Sequence, residues 1–163
     1  MTSEEKFTQR DRMRFTKNTT SSGLALLAIL LNVLYFVSIY KSDVGTYYYT
    51  ILIGASIIYN LVFMLATFLC SEGVKNYKAS FGYAMIVIGI LQIIRIFIIP
   101  MHARTASIVI KEVETIVMGP AQFTRLLIYL TLSAACLIVG GLIAIYKSRE
   151  LAQHQAALEE KAA

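Results

Sequence analysis

"GILQIIRIFIIP", residues 89–100, is an apolar run that contains one amide, Gln92, and, almost one turn later, one guanidinium, Arg95. The apolar residues extend back to Phe81, so a helix over 81–100 has the roughly 20 residues needed to cross the hydrocarbon core of a bilayer. A charge in the middle of such a helix costs about 2.5–3.5 kcal/mol on insertion scales. The stretch therefore predicts a membrane-spanning helix and raises the question of what Arg95 does inside it.

Four stretches of this kind follow one another along the chain, at 22–40, 47–70, 81–100 and 122–146. None of them contains an acidic residue, whereas a core helix of a water-soluble protein seldom runs so far without one. The composition agrees, since 57% of the residues are hydrophobic and only 15% are charged. We predict an all-α integral membrane protein, a four-helix transmembrane bundle over 22–146, with a basic leader at 1–21 and a helical tail at 147–163.

Basic residues are shared unequally between the segments that flank these helices. The leader, the second connection and the tail carry ten, whereas the first and third connections, together with Arg125 at the start of the fourth span, carry four. Because cytoplasmic segments are enriched in Lys and Arg, this distribution predicts that both termini lie in the cytoplasm, on a plasma or bacterial inner membrane. In the leader, Arg10, Arg12, Arg14 and Lys17 are mixed with apolar residues beside a spanning helix, so we expect them to contact anionic lipid headgroups and not nucleic acid.

The third connection is the longest and has a pattern of its own. Its apolar residues recur at helical spacings, at Ala106, Val109, Ile110, Val113, Ile116 and Val117. This spacing predicts a short amphipathic helix at 104–118, between Pro100 and Pro120, the only prolines of the chain. Such a helix either lies flat at the headgroups as a link or docks on the outer surface of a partner.

Asn32, Asn60 and Gln92 lie near the middle of the first three spans and, with Arg95, form a candidate intramembrane polar site. Amide hydrogen bonds between helices, at about 0.6–2 kcal/mol each, explain the first three, and a ligand site is the alternative. Arg95 lies shortly before Pro100. It either reaches toward the outer headgroups or makes an interior contact, with Gln92 and neighbouring helices or with a carboxylate of another subunit.

Small residues mark a second candidate surface, on the fourth span. Cys136, Gly140 and Ala144 repeat every four residues and, with Ser133, permit close contact with another helix, within the bundle or on a partner protein. Cys136 and Cys70 are far apart in sequence, so we expect two packing residues and neither a disulfide nor a metal site.

Sequence motifs for catalysis are absent. The chain has no Ser/His/Asp constellation, HExxH motif, cysteine pair or phosphate-binding loop, and His102 and His154 are isolated residues that we expect at the surface. The spans also lack the carboxylate or histidine that proton-coupled transport normally needs. We predict a protein that is not an enzyme and has no cofactor or metal, with lipid and either other membrane subunits or its own copies as partners.

Two functions fit this description. The preferred one is an accessory or scaffold subunit of a larger membrane assembly, such as a transport complex, because the chain is small and Arg95 has no acidic partner within the spans. The alternative is a small homo-oligomeric transporter, channel or lipid-binding protein that uses the polar site at Asn32, Asn60, Gln92 and Arg95. A membrane enzyme is a distant third.

Overall fold

The computed structural model describes residues 3–40, 52–105, 107–110, 113–116 and 118–162. Within these ranges the chain forms six helices and two short strands. They are α1 (Ser3–Met13), α2 (Thr19–Tyr40), α3 (Leu52–Lys75), α4 (Ala79–Ile98), α5 (Pro100–Thr105), β1 (Ser107–Ile110), β2 (Val113–Ile116) and α6 (Pro120–Ala162). By length and hydropathy, α2, α3, α4 and α6 are each able to cross a membrane. The beginning of the second predicted span, 47–51, lies outside the described residues.

Local residues explain where the long helices begin and end. Asn18 caps α2, since its Oδ1 accepts a hydrogen bond of 3.5 Å from the backbone N–H of Ser21. The chain turns from α3 into α4 through Tyr77, whose φ of 54° is left-handed. α4 ends just before Pro100, and α6 begins at Pro120, where the missing N–H of proline costs nothing.

The third connection differs from the predicted amphipathic helix at 104–118. α5 ends at Thr105, and β1 and β2 then pair antiparallel, with Ser107 opposite Ile116 and Ile110 opposite Val113. The strands are rich in valine, isoleucine and threonine, whose branched Cβ atoms favour extended backbone over helix. The apolar spacing that suggested a helix is short enough to fit either structure.

The four long helices pack so that α6 contacts both α2 and α4 extensively, while α3 packs on α2 and, less closely, on α4. Glycines bring α4 and α6 together. A Cβ atom at Gly141 of α6 would lie 2.6 Å from the carbonyl oxygen of Gly82 and 2.8 Å from Cγ1 of Ile86, both in α4. A Cβ atom at Gly89 would likewise lie 2.9 Å from Ile138. These glycines allow the backbone of one helix to touch the other.

The apolar interior consists of two clusters. One contains Ala25, Ala28, Leu31, Phe63, Cys70, Val74, Met85, Cys136, Leu137 and Ala144. The other contains Tyr35, Ile39, Ile96, Met118, Phe123, Leu126 and Leu130. Both cysteines of the chain are buried free thiols packed in the first cluster.

The N-terminal helix, the α3–α4 turn and the C-terminal half of α6 meet at one end of the bundle, called the termini end below. The backbone N–H of Asn18 donates to the carbonyl oxygen of Lys75 at 3.1 Å. Arg10 of α1 forms an ion pair of 3.3 Å with Glu150 of α6, and the hydroxyl of Ser148 donates to the carbonyl oxygen of the α3–α4 turn. Both terminal segments therefore lie on the same side of the four long helices.

Candidate functional site

The arginine, the two asparagines and the glutamine predicted as a polar site meet in the interior of the bundle. Nη1 of Arg95 donates to Oδ1 of Asn32 at 3.1 Å and to Oδ1 of Asn60 at 2.9 Å. Nδ2 of Asn32 donates in turn to the same oxygen of Asn60 at 3.1 Å. Arg95 is 4% exposed and the three amides, including Gln92, are 0–1% exposed. Helices α2, α3 and α4 thus contribute to one hydrogen-bonded group, called the Arg95 cluster below.

The Arg95 cluster lies deep within the helices. At 1.5 Å per residue, Asn32 is about 20 Å from the first residue of α2 and Arg95 about 24 Å from the first residue of α4. Asn60 is about 22 Å from Lys75, at the end of α3, so the three side chains share one level. Of the two alternatives for Arg95, the structure has the interior contact and not the extension toward the headgroups.

Gln92 connects the Arg95 cluster to the fourth long helix. Its Nε2 donates to Oδ1 of Asn32 at 3.2 Å and, at 3.5 Å, to the hydroxyl of Ser133 in α6. The hydroxyl of Ser133 donates to the carbonyl oxygen of Ala28 at 3.0 Å. Oε1 of Gln92 is buried and accepts no hydrogen bond from the described residues. The cluster therefore holds all four long helices together and still has acceptor capacity on Gln92.

Two tyrosines that the sequence analysis did not single out complete the cluster. The guanidinium carbon of Arg95 lies 4.4 Å from the ring centroid of Tyr35 in α2 and 4.7 Å from that of Tyr59 in α3. At these distances the π electrons of both rings attract the cation. Tyr35 lies one turn after Asn32, and Tyr59 immediately precedes Asn60. The only sequence signal for the two tyrosines was a position within one helical turn of an asparagine of the cluster.

The groups that the structure describes around Arg95 are dipoles. The amide oxygens and aromatic rings beside it are formally neutral. The sequence has one acidic residue between Thr19 and Ser71, Asp43, which lies outside the described residues, and none from Ala79 to Lys111. Dipoles stabilise a buried cation only in part, because most of the cost of taking it out of water persists. An anion that entered the cluster would therefore be attracted by the guanidinium.

The small-residue surface on α6 packs against other helices inside the bundle. Ser133, Cys136 and Ala144 are 0%, 7% and 1% exposed. A Cβ atom at Gly140 would lie 2.9 Å from the methyl carbon of Met85 and 3.1 Å from Cβ of Leu24. Of the two contacts predicted for this surface, the structure has the one between helices of the same chain.

The basic side chains of the leader lie on or after α1, at the termini end. Arg12 is exposed, Arg14 approaches Asp11 at 3.4 Å, and Arg10 pairs with Glu150. His154 was predicted to be a surface residue, and the structure places it in a buried position. It is 7% exposed and packs edge-on against Phe7, with the ring centroids 5.0 Å apart. The cause is the contact between α1 and α6, which the sequence analysis did not predict.

The described residues contain no group of three or more His, Cys, Asp or Glu side chains able to hold a metal ion. The side chain of His102 lies outside what the structure describes. The Arg95 cluster can hold an anion or bind helices together, and the four apolar helices are those of a membrane protein. Comparison with protein-family models, with curated proteins and with solved structures gave no match.

Proposed function

We propose that this chain is a non-enzymatic, multi-pass membrane protein that binds an anionic group inside its bundle at the Arg95 cluster, as a small transporter, channel or lipid-binding protein. The observation that carries the proposal is a guanidinium that is 4% exposed and is held deep inside the bundle by the amide oxygens of Asn32 and Asn60. An ionisable residue within the membrane is by default functional, because its burial is costly.

Helix association alone is a weaker explanation of the cluster. Asn32, Asn60 and Gln92 already bond to one another or to α6, so the amides suffice to join the helices. Arg95 adds a desolvation cost to this arrangement, and apolar replacements of buried charges are often neutral or stabilising. A residue that costs stability at the centre of a polar cluster is better explained by what it binds.

The accessory or scaffold role in a larger assembly remains the second candidate. Two of the features that motivated it have uses inside the chain, since Arg95 is held by Asn32 and Asn60 and the small residues of α6 pack within the bundle. What favours it is the apolar outer face of α3, where Ile58 and Leu61 are 63% and 58% exposed. Recovery of a stoichiometric partner from native membranes after mild-detergent purification would support it.

We further propose that both termini lie in the cytoplasm, with the protein in a plasma or bacterial inner membrane. The positive-inside bias of the flanking segments supports this orientation, and so does the meeting of the leader, the α3–α4 turn and the tail at the termini end. The Arg95 cluster would then lie in the outer half of the membrane. Reactivity of cysteines placed at each end with a membrane-impermeant reagent, in sealed vesicles, measures the orientation.

Binding of three probe anions to the purified full chain in nanodiscs tests the proposed function. The probes are radiolabelled chloride, inorganic phosphate and oleate, and the variants are Arg95→Leu and, as a matched control, Arg125→Gln. Arg125 is an exposed arginine of α6, so its replacement removes the same charge from outside the cluster. Loss of a hydrogen bond to a charged group predicts that Arg95→Leu weakens binding about tenfold or more, and that Arg125→Gln changes it less than about twofold.

The outcomes separate the candidate functions. Saturable binding of at least one probe, lost in Arg95→Leu and kept in Arg125→Gln, supports the proposal. Flux of the bound probe into proteoliposomes then distinguishes a transporter or channel from a lipid-binding protein. Absence of binding by every probe, or equal binding by wild type and Arg95→Leu, would overturn it. Circular dichroism and gel filtration establish that each variant is folded.

A further inference from the structure

A cleft of about 620 Å³ lies between α1 and α6 at the termini end, far from the Arg95 cluster. Its volume falls in the range of about 300–1,000 Å³ that is usual for small-molecule sites. The residues that matter are Arg10 and Met13 of α1 and Leu142, Tyr146, Lys147 and Glu150 of α6. The cleft forms because α1 lies beside α6 and is held there by the ion pair between Arg10 and Glu150.

The chemistry of the cleft changes along α6. Leu142, which is 56% exposed, belongs to the apolar part of the helix, and Lys147 and Glu150 follow within about 8 and 12 Å along the axis. Tyr146, between them, is 63% exposed, and tyrosine is typical of the boundary between hydrocarbon and headgroups. The cleft thus has an apolar part at Leu142, which we place at the level of the hydrocarbon, and a polar part at Lys147 and Glu150, which we place at the level of the headgroups.

The charge of the cleft is positive. Arg10 and Lys147 carry one positive charge each and Glu150 carries one negative charge, so the lining has a net charge of about +1 at neutral pH. Glu150 Oε1 already accepts hydrogen bonds from Arg10 at 3.3 Å and from the Tyr146 hydroxyl at 3.1 Å. These contacts hold the two donors in place. Lys147 donates to Oδ1 of Asn18 at 3.3 Å, which holds its ammonium at the same rim.

We infer that this cleft is a specific site for one acidic glycerophospholipid. Its phosphate would lie between the side chains of Arg10 and Lys147, and one acyl chain would run along the apolar surface at Leu142. A phosphate with a net negative headgroup matches the net charge of the lining, which a zwitterionic headgroup does not. The inference is independent of the proposed function, because no residue of the Arg95 cluster lines the cleft.

A bound lipid rather than a peptide or a second copy of the chain fits the position of the cleft. Leu142 and Tyr146 place it where α6 leaves the hydrocarbon, a level that lipid headgroups occupy along the whole membrane. Phe15, just after α1, is 82% exposed at the same end, and an aromatic side chain of this kind inserts readily into the headgroup region. Leader, cleft and lipid would then form one continuous contact with the cytoplasmic leaflet.

Native mass spectrometry of the full chain, with phosphatidylglycerol and phosphatidylcholine titrated in parallel, tests the site. The variants are Lys147→Gln and Arg10→Gln, with Arg10→Lys as the charge-conserving variant. Lys78→Gln is the matched control, since Lys78 is exposed in the α3–α4 turn at the same end but does not line the cleft. Thermal unfolding of each variant in phosphatidylcholine alone verifies that it is folded.

We expect one phosphatidylglycerol to saturate the wild type and to raise its unfolding temperature above that in phosphatidylcholine. Lys147→Gln and Arg10→Gln should each weaken phosphatidylglycerol binding about tenfold, whereas Arg10→Lys and Lys78→Gln should change it less than about threefold. An equal loss in Lys78→Gln would show general attraction to the basic end and overturn the inference. Equal retention of the two lipids, or unchanged binding in both glutamine variants, would overturn it as well.

Discussion

Replacement of Asn60 by leucine tests how the bundle tolerates the charge on Arg95. Leucine has nearly the shape of asparagine but no polar group. The variant therefore removes the bond of 2.9 Å from Arg95, the bond of 3.1 Å from Asn32 and the bond of 2.8 Å that Asn60 donates to the carbonyl oxygen of Ser56. A hydrogen bond to a charged group contributes about 1.5–3 kcal/mol, and a neutral bond between membrane helices about 0.6–1.7 kcal/mol. We expect Asn60→Leu to lower the free energy of unfolding by about 3–6 kcal/mol.

Arg95→Leu should behave differently, although both of the hydrogen bonds that it removes involve the charged group. The loss of its bonds to Asn32 and Asn60 is offset by removal of a charge whose burial costs about 2.5–3.5 kcal/mol on insertion scales. We therefore expect the free energy of unfolding to fall by about 0–3 kcal/mol, which is less than in Asn60→Leu. In the Arg95→Leu background, Asn60→Leu then loses only the neutral bonds with Asn32 and Ser56, at about 0.6–1.7 kcal/mol each.

The two single variants and the double variant form a cycle with an expected coupling energy of about 1.5–3 kcal/mol. Equilibrium unfolding in mixed micelles of dodecyl maltoside and sodium dodecyl sulfate, followed by circular dichroism, measures all four free energies. A coupling below about 0.5 kcal/mol would show that Asn60 does not support Arg95. If Arg95→Leu were more destabilising than Asn60→Leu, Arg95 would be a structural residue, and the argument for an anion site would fail.

Two further predictions concern the packing of the bundle. Gly141→Ala should lower the free energy of unfolding by about 1–3 kcal/mol, because its Cβ atom would meet the carbonyl oxygen of Gly82 at 2.6 Å. Gly23→Ala, where nothing lies within 4 Å, should be neutral or stabilising by up to about 1 kcal/mol in the same assay, and an equal loss in both variants would refute the close contact. Ser22→Cys with Ser71→Cys, in a chain whose native cysteines are replaced by alanine, should form a disulfide on mild oxidation, since the two hydroxyl oxygens are 2.7 Å apart. Non-reducing electrophoresis after cleavage between α2 and α3 detects it, and failure to cross-link the folded chain would contradict the pairing of these helices.

The number and depth of the long helices follow from the sequence because both depend on quantities fixed by the backbone. An apolar stretch of about 20 residues determines a span, and the rise of 1.5 Å per residue determines the level of each residue in it. Asn32, Asn60, Gln92 and Arg95 could be placed near one another in depth on this basis alone. The same reasoning does not give the rotation of each helix about its axis, which decides whether a side chain faces lipid or the interior.

Helix rotation is set by packing between residues distant in sequence, and here the predictions were incomplete. The close approach of Gly82 and Gly141 turns α4 so that Arg95 faces inward, which no single span reveals. Helix α1 was not predicted from the sequence either. The sequence did contain a signal for it, because Glu4 and Glu5 lie in its first turn and Arg10 and Arg12 in its last turn, which is the distribution of charge that the helix dipole favours.

The packing of α4 on α6 also bears on the chemistry of the Arg95 cluster. Gly82 and Gly89 lie on the buried face of α4 that carries Gln92 and Arg95. Because the glycines let α6 approach, the interior between the cluster and the termini end is filled by small and apolar side chains such as Met85. A close-packed apolar interior has a low effective dielectric, so the attraction between the guanidinium and an anion is much stronger there than in water. The same contacts that make Arg95 costly to bury would therefore strengthen its attraction for an anion, which links the fold of α4 directly to the proposed function.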